Sequence, residues 1–413
     1  MIVEKTKLRA DADIIIKKAI EASLPDTAVK ERLAGMTFPG RVFLISVGKA
    51  AWVMAEAALD ALGNRVTQGL VVTKYGHSRG ELPNTRIIEA GHPVPDENSV
   101  IGADAALELA AGLNDTDTVL FLLSGGGSAL FEKPLVPLQE LRKLTDELLR
   151  SGADIEEINT VRKRLSAVKG GRFAAACAPA KVISLILSDV LGSEPGSIAS
   201  GPTSADRSLR GDALRVCGKY SLKLSREAMA LMESGTLSEL PNSEIHIIGS
   251  VELLCRAAEQ SCRELGYETQ VLTASETGEA REAGEKIAYL VRDNASSGRK
   301  LAFISGGETV VHVKGKGLGG RNQELVLASV PILAGIENAA LFSIGSDGTD
   351  GPTDAAGAYA DGETMKKLKA AGTDPFAALA DNDSYHAFES IGALIKTGPT
   401  GTNVNDLTVG LIG

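Results

Sequence analysis

Four near-continuous apolar runs punctuate the chain, and each ends in small polar residues. Residues 118–123 run into Ser124-Gly125-Gly126-Gly127-Ser128, and residues 182–187 into Ser188-Asp189. Residues 301–304 run into Ser305-Gly306-Gly307-Glu308, and residues 341–344 into Gly345-Ser346-Asp347-Gly348. A run without apolar–polar alternation predicts a strand buried on both faces, as in a parallel sheet. Residues 42–47 and 70–73 read the same way. Helical periodicity fills the intervals, at 50–62, 138–150, from Asp154 onward, at 251–265 and at 322–333. Residues 10–24 form a further amphipathic helix, with Ile14, Ile15, Ala19, Ile20 and Ala22 toward one side. Asp96 or Ser99 caps a helix running to about residue 113. Residues 309–314 instead alternate, which predicts a half-exposed antiparallel strand. The class is α/β, and in open α/β sheets ligands sit at the carboxyl ends of strands.

The pattern begins twice. Pro241-Asn242-Ser243 interrupts it, and residues 245–250 open a new strand–turn–helix unit. At 413 residues the chain exceeds one ordinary core. Two domains are therefore predicted, residues 1–240 and 241–413.

Composition narrows the class. Hydrophobic residues make up 44% and charged residues 23%, which describes a globular, soluble protein. A net charge of −10 disfavours nucleic acid or an anionic membrane as partner, without bearing on a local basic site. The first residues are charged and lack the apolar core of a signal peptide, and no apolar stretch is long enough to span a membrane. Four cysteines without C-x-x-C spacing fit reduced thiols in the cytoplasm.

The candidate chemistry lies where the strands end. In Ser124, Gly125, Gly126, Gly127 and Ser128, successive N–H groups can turn toward one ligand. A flexible linker is the alternative, but a buried strand leads straight into this stretch. Lys49 opens the helix at 50–62, and Arg321 opens the one at 322–333. The macrodipole disfavours a cation there unless an anion bridges it to the free N–H groups; for Lys49, plain solvent exposure is the other reading. Arg162, Lys163, Arg164, Lys169 and Arg172 read as a solvated basic face, except that Lys169-Gly170-Gly171-Arg172 also resembles a phosphate contact. Asp189 ends a buried strand and could bind a metal, take a proton or cap a helix. His92, between Gly91 and Pro93, could face the same site. Gly315 to Gly320 match G-x-G-x-x-G, but the strand before them alternates, and Asp347 lies farther along than a dinucleotide fold requires. Asp347, Asp350 and Asp354 crowd one turn, which suits Mg²⁺ shared with phosphate oxygens, or simple turn and cap chemistry.

Taken in order, several motifs resemble one family. They are Ser46-Val-Gly-Lys49-Ala, Gly91-His-Pro-Val-Pro-Asp96, Leu123-Ser-Gly-Gly-Gly-Ser128, Asn159-Thr-Val-Arg-Lys163 and Leu187-Ser-Asp-Val190. Gly319-Gly-Arg-Asn-Gln323, Gly345-Ser-Asp-Gly-Thr-Asp-Gly351 and Thr400-Gly-Thr-Asn403 complete the set. The chain resembles the class II glycerate kinases, glycerate 2-kinases with a C-terminal MOFRL domain, here at about residues 300–410. The resemblance implies ATP-dependent phosphorylation of D-glycerate to 2-phosphoglycerate with Mg²⁺. It implies a Rossmann-like, largely parallel N-terminal sheet, a smaller C-terminal domain with a mixed sheet, and an active site in the cleft between them. It makes Lys49 and Arg321 active-site cations and Asp189 the leading acidic candidate. Family members also carry hydroxypyruvate reductase names.

From these residues we expect Lys49 and Arg321 to clamp the glycerate carboxylate or the transferred phosphoryl group, and Asp189 to orient or deprotonate the acceptor hydroxyl. Asp347 or Asp350 would hold Mg²⁺. Ser124, Gly125, Gly126, Gly127, Ser128, Lys169, Gly319 and Gly320 would bind ATP. The partners are small molecules, not nucleic acid or membrane, and a homodimer is left open. Two alternatives are an NAD(P)H-dependent hydroxypyruvate reductase built on Gly315–Gly320, and a non-catalytic sensor of sugar acids.

Overall fold

A computed structural model describes residues 6–188 and 194–413. Two units pack within themselves, Pro25–Ile248 and Gly249–Gly413, the latter joined by the chain up to Leu24.

Helix α1 (Lys7–Ala22) opens the chain with Thr6 as its cap. In the N-terminal unit follow α2 (Pro25–Leu33), β1 (Val42–Val47), α3 (Ala51–Leu62), β2 (Val66–Lys74), β3 (Thr85–Ala90), α4 (Glu97–Ala110) and β4 (Thr118–Leu123). Next come α5 (Gly127–Leu130), α6 (Leu138–Arg150), α7 (Ile155–Arg164), α8 (Arg172–Ala176), β5 (Lys181–Leu187), α9 (Asp212–Lys219), α10 (Arg226–Met232) and β6 (Ser243–Gly249). The strands form one sheet in the order β3-β2-β1-β4-β5-β6. The pairings of β1 with β2 and β4, of β2 with β3 and of β4 with β5 are all parallel.

The continuous apolar runs have their expected cause. Val42 and Leu44 of β1, with Leu120 and Leu122 of β4, enter one core cluster. Phe43, Ile45 and Val47, with Val119, Phe121 and Leu123, enter another on the opposite face. Both faces are covered, so the two strands are apolar except at buried Ser46 and Thr118. Phe121, Phe131 and Phe173 meet with ring centroids 5.3–5.7 Å apart and anchor the second cluster below the Ser124–Ser128 loop.

The C-terminal unit contains α11 (Val251–Glu264), β7 (Glu268–Glu276), α12 (Ala280–Asn294), β8 (Leu301–Gly307), α13 (Arg321–Leu333), β9 (Ala339–Gly345) and β10 (Gly357–Asp361). Then follow α14 (Thr364–Ala370), α15 (Pro375–Ala380), α16 (Ser384–Glu389), β11 (Leu394–Ile395) and β12 (Asp406–Ile412). The sheet order is β11-β10-β9-β12-β8-β7. The last strand, β12, inserts antiparallel between β8 and β9, while β7 and β8 run parallel, so this sheet is mixed.

Four expectations are corrected. Residues 6–24 pack with the C-terminal unit, because buried Asp11 accepts a bond from the Tyr267 hydroxyl at 2.7 Å and Lys18 pairs with Glu264 at 2.6 Å. The buried face of α1 is Leu8, Ala12, Ile15, Ile16, Ala19 and Ile20, and Ile14 is exposed. The division also falls after Ile248 rather than after 240, since β6 completes the first sheet. Residues 309–314 form no strand: Val310 alone bridges to Glu279, and the stretch is otherwise irregular. None of the described helices is long and apolar enough to cross a membrane.

Candidate active site

The order β3-β2-β1-β4-β5-β6 has a topological switch point between β1 and β4. In open α/β sheets ligands bind at such a point, beyond the carboxyl ends of the strands. Gly48-Lys49 follows β1 and Ser124–Ser128 follows β4, so the two predicted loops flank that point. They are tied together: Lys49 N–H donates to the Gly125 carbonyl at 2.9 Å, and Ala50 N–H donates to Ser124 Oγ at 3.0 Å. The Lys49 side chain is exposed, without an ion pair among the described residues. Gly126 has φ 89°, and a side chain there would meet the His92 ring at 2.9 Å and Lys49 Cγ at 3.4 Å. Glycine is required where Lys49 and His92 crowd the loop.

Two expected ATP-binding residues do other work. Ser124 is buried, and its hydroxyl caps the start of α3. Lys169 is fully buried below the loop, where Nζ donates to the carbonyls of Ser128 (3.0 Å), Phe131 (3.0 Å) and Ala199 (3.3 Å). Burial lowers its amine to about 8, and Glu132 at 3.6 Å opposes that shift. The solvated basic face is likewise not found. Arg164 is fully buried and donates to the carbonyls of Ser234 and Leu209, and Arg162 donates to Ser128 O at 2.7 Å. These cations hold loops in place, a role that i, i+1 clustering could not reveal. Gly125, Gly126, Gly127 and Ser128 remain at the loop surface or just beneath it. Asp189 lies outside the described residues.

In the C-terminal unit, Gly320 caps α13 and Arg321 is its first residue. The guanidinium grips Asp406 with two bonds, Nε to Oδ2 at 2.5 Å and Nη2 to Oδ1 at 3.0 Å, and also reaches Glu308 Oε1 at 3.0 Å. Burial pushes Asp406 above the ordinary carboxylate range, and the Arg321 fork opposes that shift. Asp406 and Glu308 were missed in the sequence. Their signal is only that Asp406 opens the apolar run of β12 and Glu308 follows that of β8.

The aspartate turn resolves into three separate jobs. Asp347 is half-buried and accepts Thr349 N–H at 2.9 Å in its own turn. Asp354 pairs with Lys396 at 2.9 Å. Asp350 is 2% exposed and caps α13, accepting N–H from Asn322 at 3.1 Å and Gln323 at 2.8 Å. Cap chemistry therefore accounts for Asp350, and its engaged oxygens do not suit a metal. Among the described residues no group of three or more His, Cys, Asp or Glu side chains is placed to hold one.

Burial pushes Asp350 up to about 6, while the N–H groups of Gln323 and Asn322 pull it down. A carboxyl with a raised folded-state value binds its proton more tightly when folded. Its contribution to stability is thus largest near pH 4, falls as pH rises to about 6, and is level above that. We expect the difference in unfolding free energy between wild type and Asp350→Asn to shrink from pH 4 to pH 6 in urea titrations. A pH-independent difference contradicts this.

The G-x-G-x-x-G stretch is also explained without a nucleotide. N–H groups that would face a pyrophosphate are already taken. Lys314 and Gly315 donate to Asn382 Oδ1 at 2.8 and 3.0 Å, Lys316 to Asp381 Oδ1 at 2.9 Å, and Leu318 to Asp383 Oδ1 at 2.9 Å. A Cβ on Gly319 would run into Ser384 Oγ, and one on Gly320 into Asp350, so these glycines serve packing.

Residues 11–233 match the domain of unknown function DUF4147, and residues 301–406 match the MOFRL family. A D-glycerate 2-kinase of Thermotoga maritima is 55% identical over 96% of this chain and 97% of its own. The chain belongs to the glycerate 2-kinase family. A glycerate 2-kinase of Pyrococcus horikoshii is 41% identical over 90% of this chain and 88% of its own. A relative from Agrobacterium vitis, 39% identical over 97% of this chain and 93% of its own, is named a hydroxypyruvate reductase only provisionally. The crystal structure of the Thermotoga maritima glycerate kinase superposes with a TM-score of 0.94 at 54% identity, covering 98% of this chain and 99% of that one. Two α/β units, one with a parallel sheet and one with a mixed sheet, are thus the architecture of glycerate 2-kinase family members.

Proposed function

We propose that this chain is an ATP-dependent kinase that phosphorylates D-glycerate to 2-phosphoglycerate. The observation that carries the reading is Lys49, an exposed cation without an ion pair among the described residues, beside a glycine loop at the switch point of a parallel sheet, in a chain 55% identical to a D-glycerate 2-kinase. Phosphoryl transfer needs positioned cations and N–H groups around developing negative charge. Lys49 and the N–H groups of Gly125–Gly127 supply such a site. Arg321 is the second proposed cation, its fork fixed by Asp406 and Glu308. Asp189 is proposed to orient or deprotonate the acceptor hydroxyl.

Mg²⁺ is expected with ATP. Asp347, half-exposed and engaged through Oδ1, suits a single carboxylate contact, with phosphate oxygens and water supplying the rest. When bound, the ion would offset phosphate charge.

The reductase alternative is disfavoured by the occupied N–H groups of residues 314–318. Two assays separate the readings: ATP consumption with D-glycerate, and NADH oxidation with hydroxypyruvate. We expect activity in the first alone; NADH oxidation without ATP consumption overturns the kinase.

A further inference from the structure

The N-terminal sheet gathers more basic groups than Lys49 at its carboxyl edge. In the order β3-β2-β1-β4, His92 follows β3 by two residues, Lys74 ends β2, Lys49 follows β1 by two residues, and the glycine loop follows β4. Register keeps these ends level, since Val47 pairs with Val72 and with Leu123, and Lys74 pairs with Ala90. The loops then lean together. Gly48 N–H donates to Val72 O at 3.1 Å, Thr73 Oγ1 donates to Gly48 O at 2.9 Å, and Tyr75 N–H donates to Ala90 O at 3.3 Å. His92 crosses to the β4 loop and packs beside Gly126 and Lys49.

Among the described residues these groups are not spent on the protein. Some cations elsewhere in this unit, among them Arg41, Lys133, Lys163 and Lys181, stand in ion pairs. Among the described residues, the Lys49 and Lys74 ammonium groups have no ion-pair partner, and the half-buried His92 ring has no hydrogen-bond partner. Burial, then the fields of Lys49, Lys74 and His77, hold the imidazole below its ordinary value, so it stays neutral and can donate one bond without adding charge. Like charges gathered without a counterion raise the energy of the empty site and are relieved by an anion.

We propose that Lys74 and His92 bind, together with Lys49 and the Gly125–Gly127 loop, one oxyanion group of the reactants. Carboxylate and phosphoryl oxygens share the chemistry these side chains recognise. Assigning the oxyanion to D-glycerate or to ATP rests on the kinase reading; the existence of the anion site does not.

The test is calorimetric titration of full-length wild type, Lys74→Ala and His92→Asn with sulfate, D-glycerate and ATP as separate probes. Both variants are expected to keep the wild-type circular dichroism, as both side chains reach solvent. Each should weaken sulfate at least tenfold, and one reactant likewise, leaving the other within twofold. Loss confined to D-glycerate identifies a carboxylate site, and loss confined to ATP a phosphate site. All three dissociation constants staying within twofold of wild type in both variants overturns the inference. Should a variant lose its fold, Lys74→Gln and His92→Gln are titrated in its place against the same thresholds. Wild type that binds sulfate but forms no phosphoglycerate would sink the kinase reading and leave the anion site standing.

Discussion

Lys49→Ala is expected to lower kcat a hundredfold or more while leaving the unfolding midpoint of the protein where it was. Its ammonium is exposed and has no protein ion pair among the described residues, so its loss removes no native contact that stability depends on. Its position, by contrast, is built with care. Its own N–H is pinned to Gly125 at 2.9 Å, its neighbour Ala50 is capped by Ser124, and both loops hang from strands buried on both faces. A preorganised charge aimed at developing negative charge typically contributes about a hundredfold or more to rate. Lys169 provides the contrast on the same loop. It is fully buried on three carbonyls, so Lys169→Ala should destabilise the fold before it informs on catalysis. Steady-state kinetics with urea unfolding on both variants separates the roles. Near-normal turnover in Lys49→Ala would remove it from the active site.

Arg321→Ala should cost both activity and stability. Here the cation is paired: Asp406 lies 6% exposed under the fork and Glu308 flanks it. Removing one partner strands a buried carboxylate, which typically costs about 1–3 kcal/mol. Because the Arg321 side chain is 34% exposed, water offsets part of that cost, and the lower half of the range is expected. Turnover should fall about a hundredfold, as for Lys49. Arg321→Lys keeps the charge but cannot reproduce the two-pronged grip on Asp406. It should recover part of the stability and little of the turnover. Full activity in Arg321→Lys would mean that charge alone matters, and that the Asp406 fork is incidental to the chemistry.

The strands were legible because burial on both faces leaves a signal that needs no knowledge of the partner. Residues 42–47, 118–123, 182–187 and 301–304 all lie in strands, and β8 runs on through Ser305-Gly306-Gly307, which pair with β12 rather than forming a loop. What could not be read was pairing over long separations. The apolar face of α1 announced a helix, but its host is fixed by Asp11 and Tyr267, 256 residues apart. Arg162, Arg164 and Lys169 looked solvated because nothing local shows that carbonyls of residues 128–131 and 209–234 fold around them. Asp347, Asp350 and Asp354 looked like one acidic cluster, yet their partners lie at Thr349, at the start of α13 and at Lys396. Asp406 reaches Arg321 only because β12 inserts between β8 and β9, a topological fact with no local trace.

The measurement that bears most directly on the account is phosphorus NMR of the product formed from D-glycerate, ATP and Mg²⁺ by the purified full-length protein. A 2-phosphoglycerate signal that grows with ADP and is absent without enzyme is expected. A 3-phosphoglycerate signal would keep the kinase and contradict the position of transfer. No phosphoglycerate at all, from protein that is folded and saturated with both reactants, would contradict the central claim.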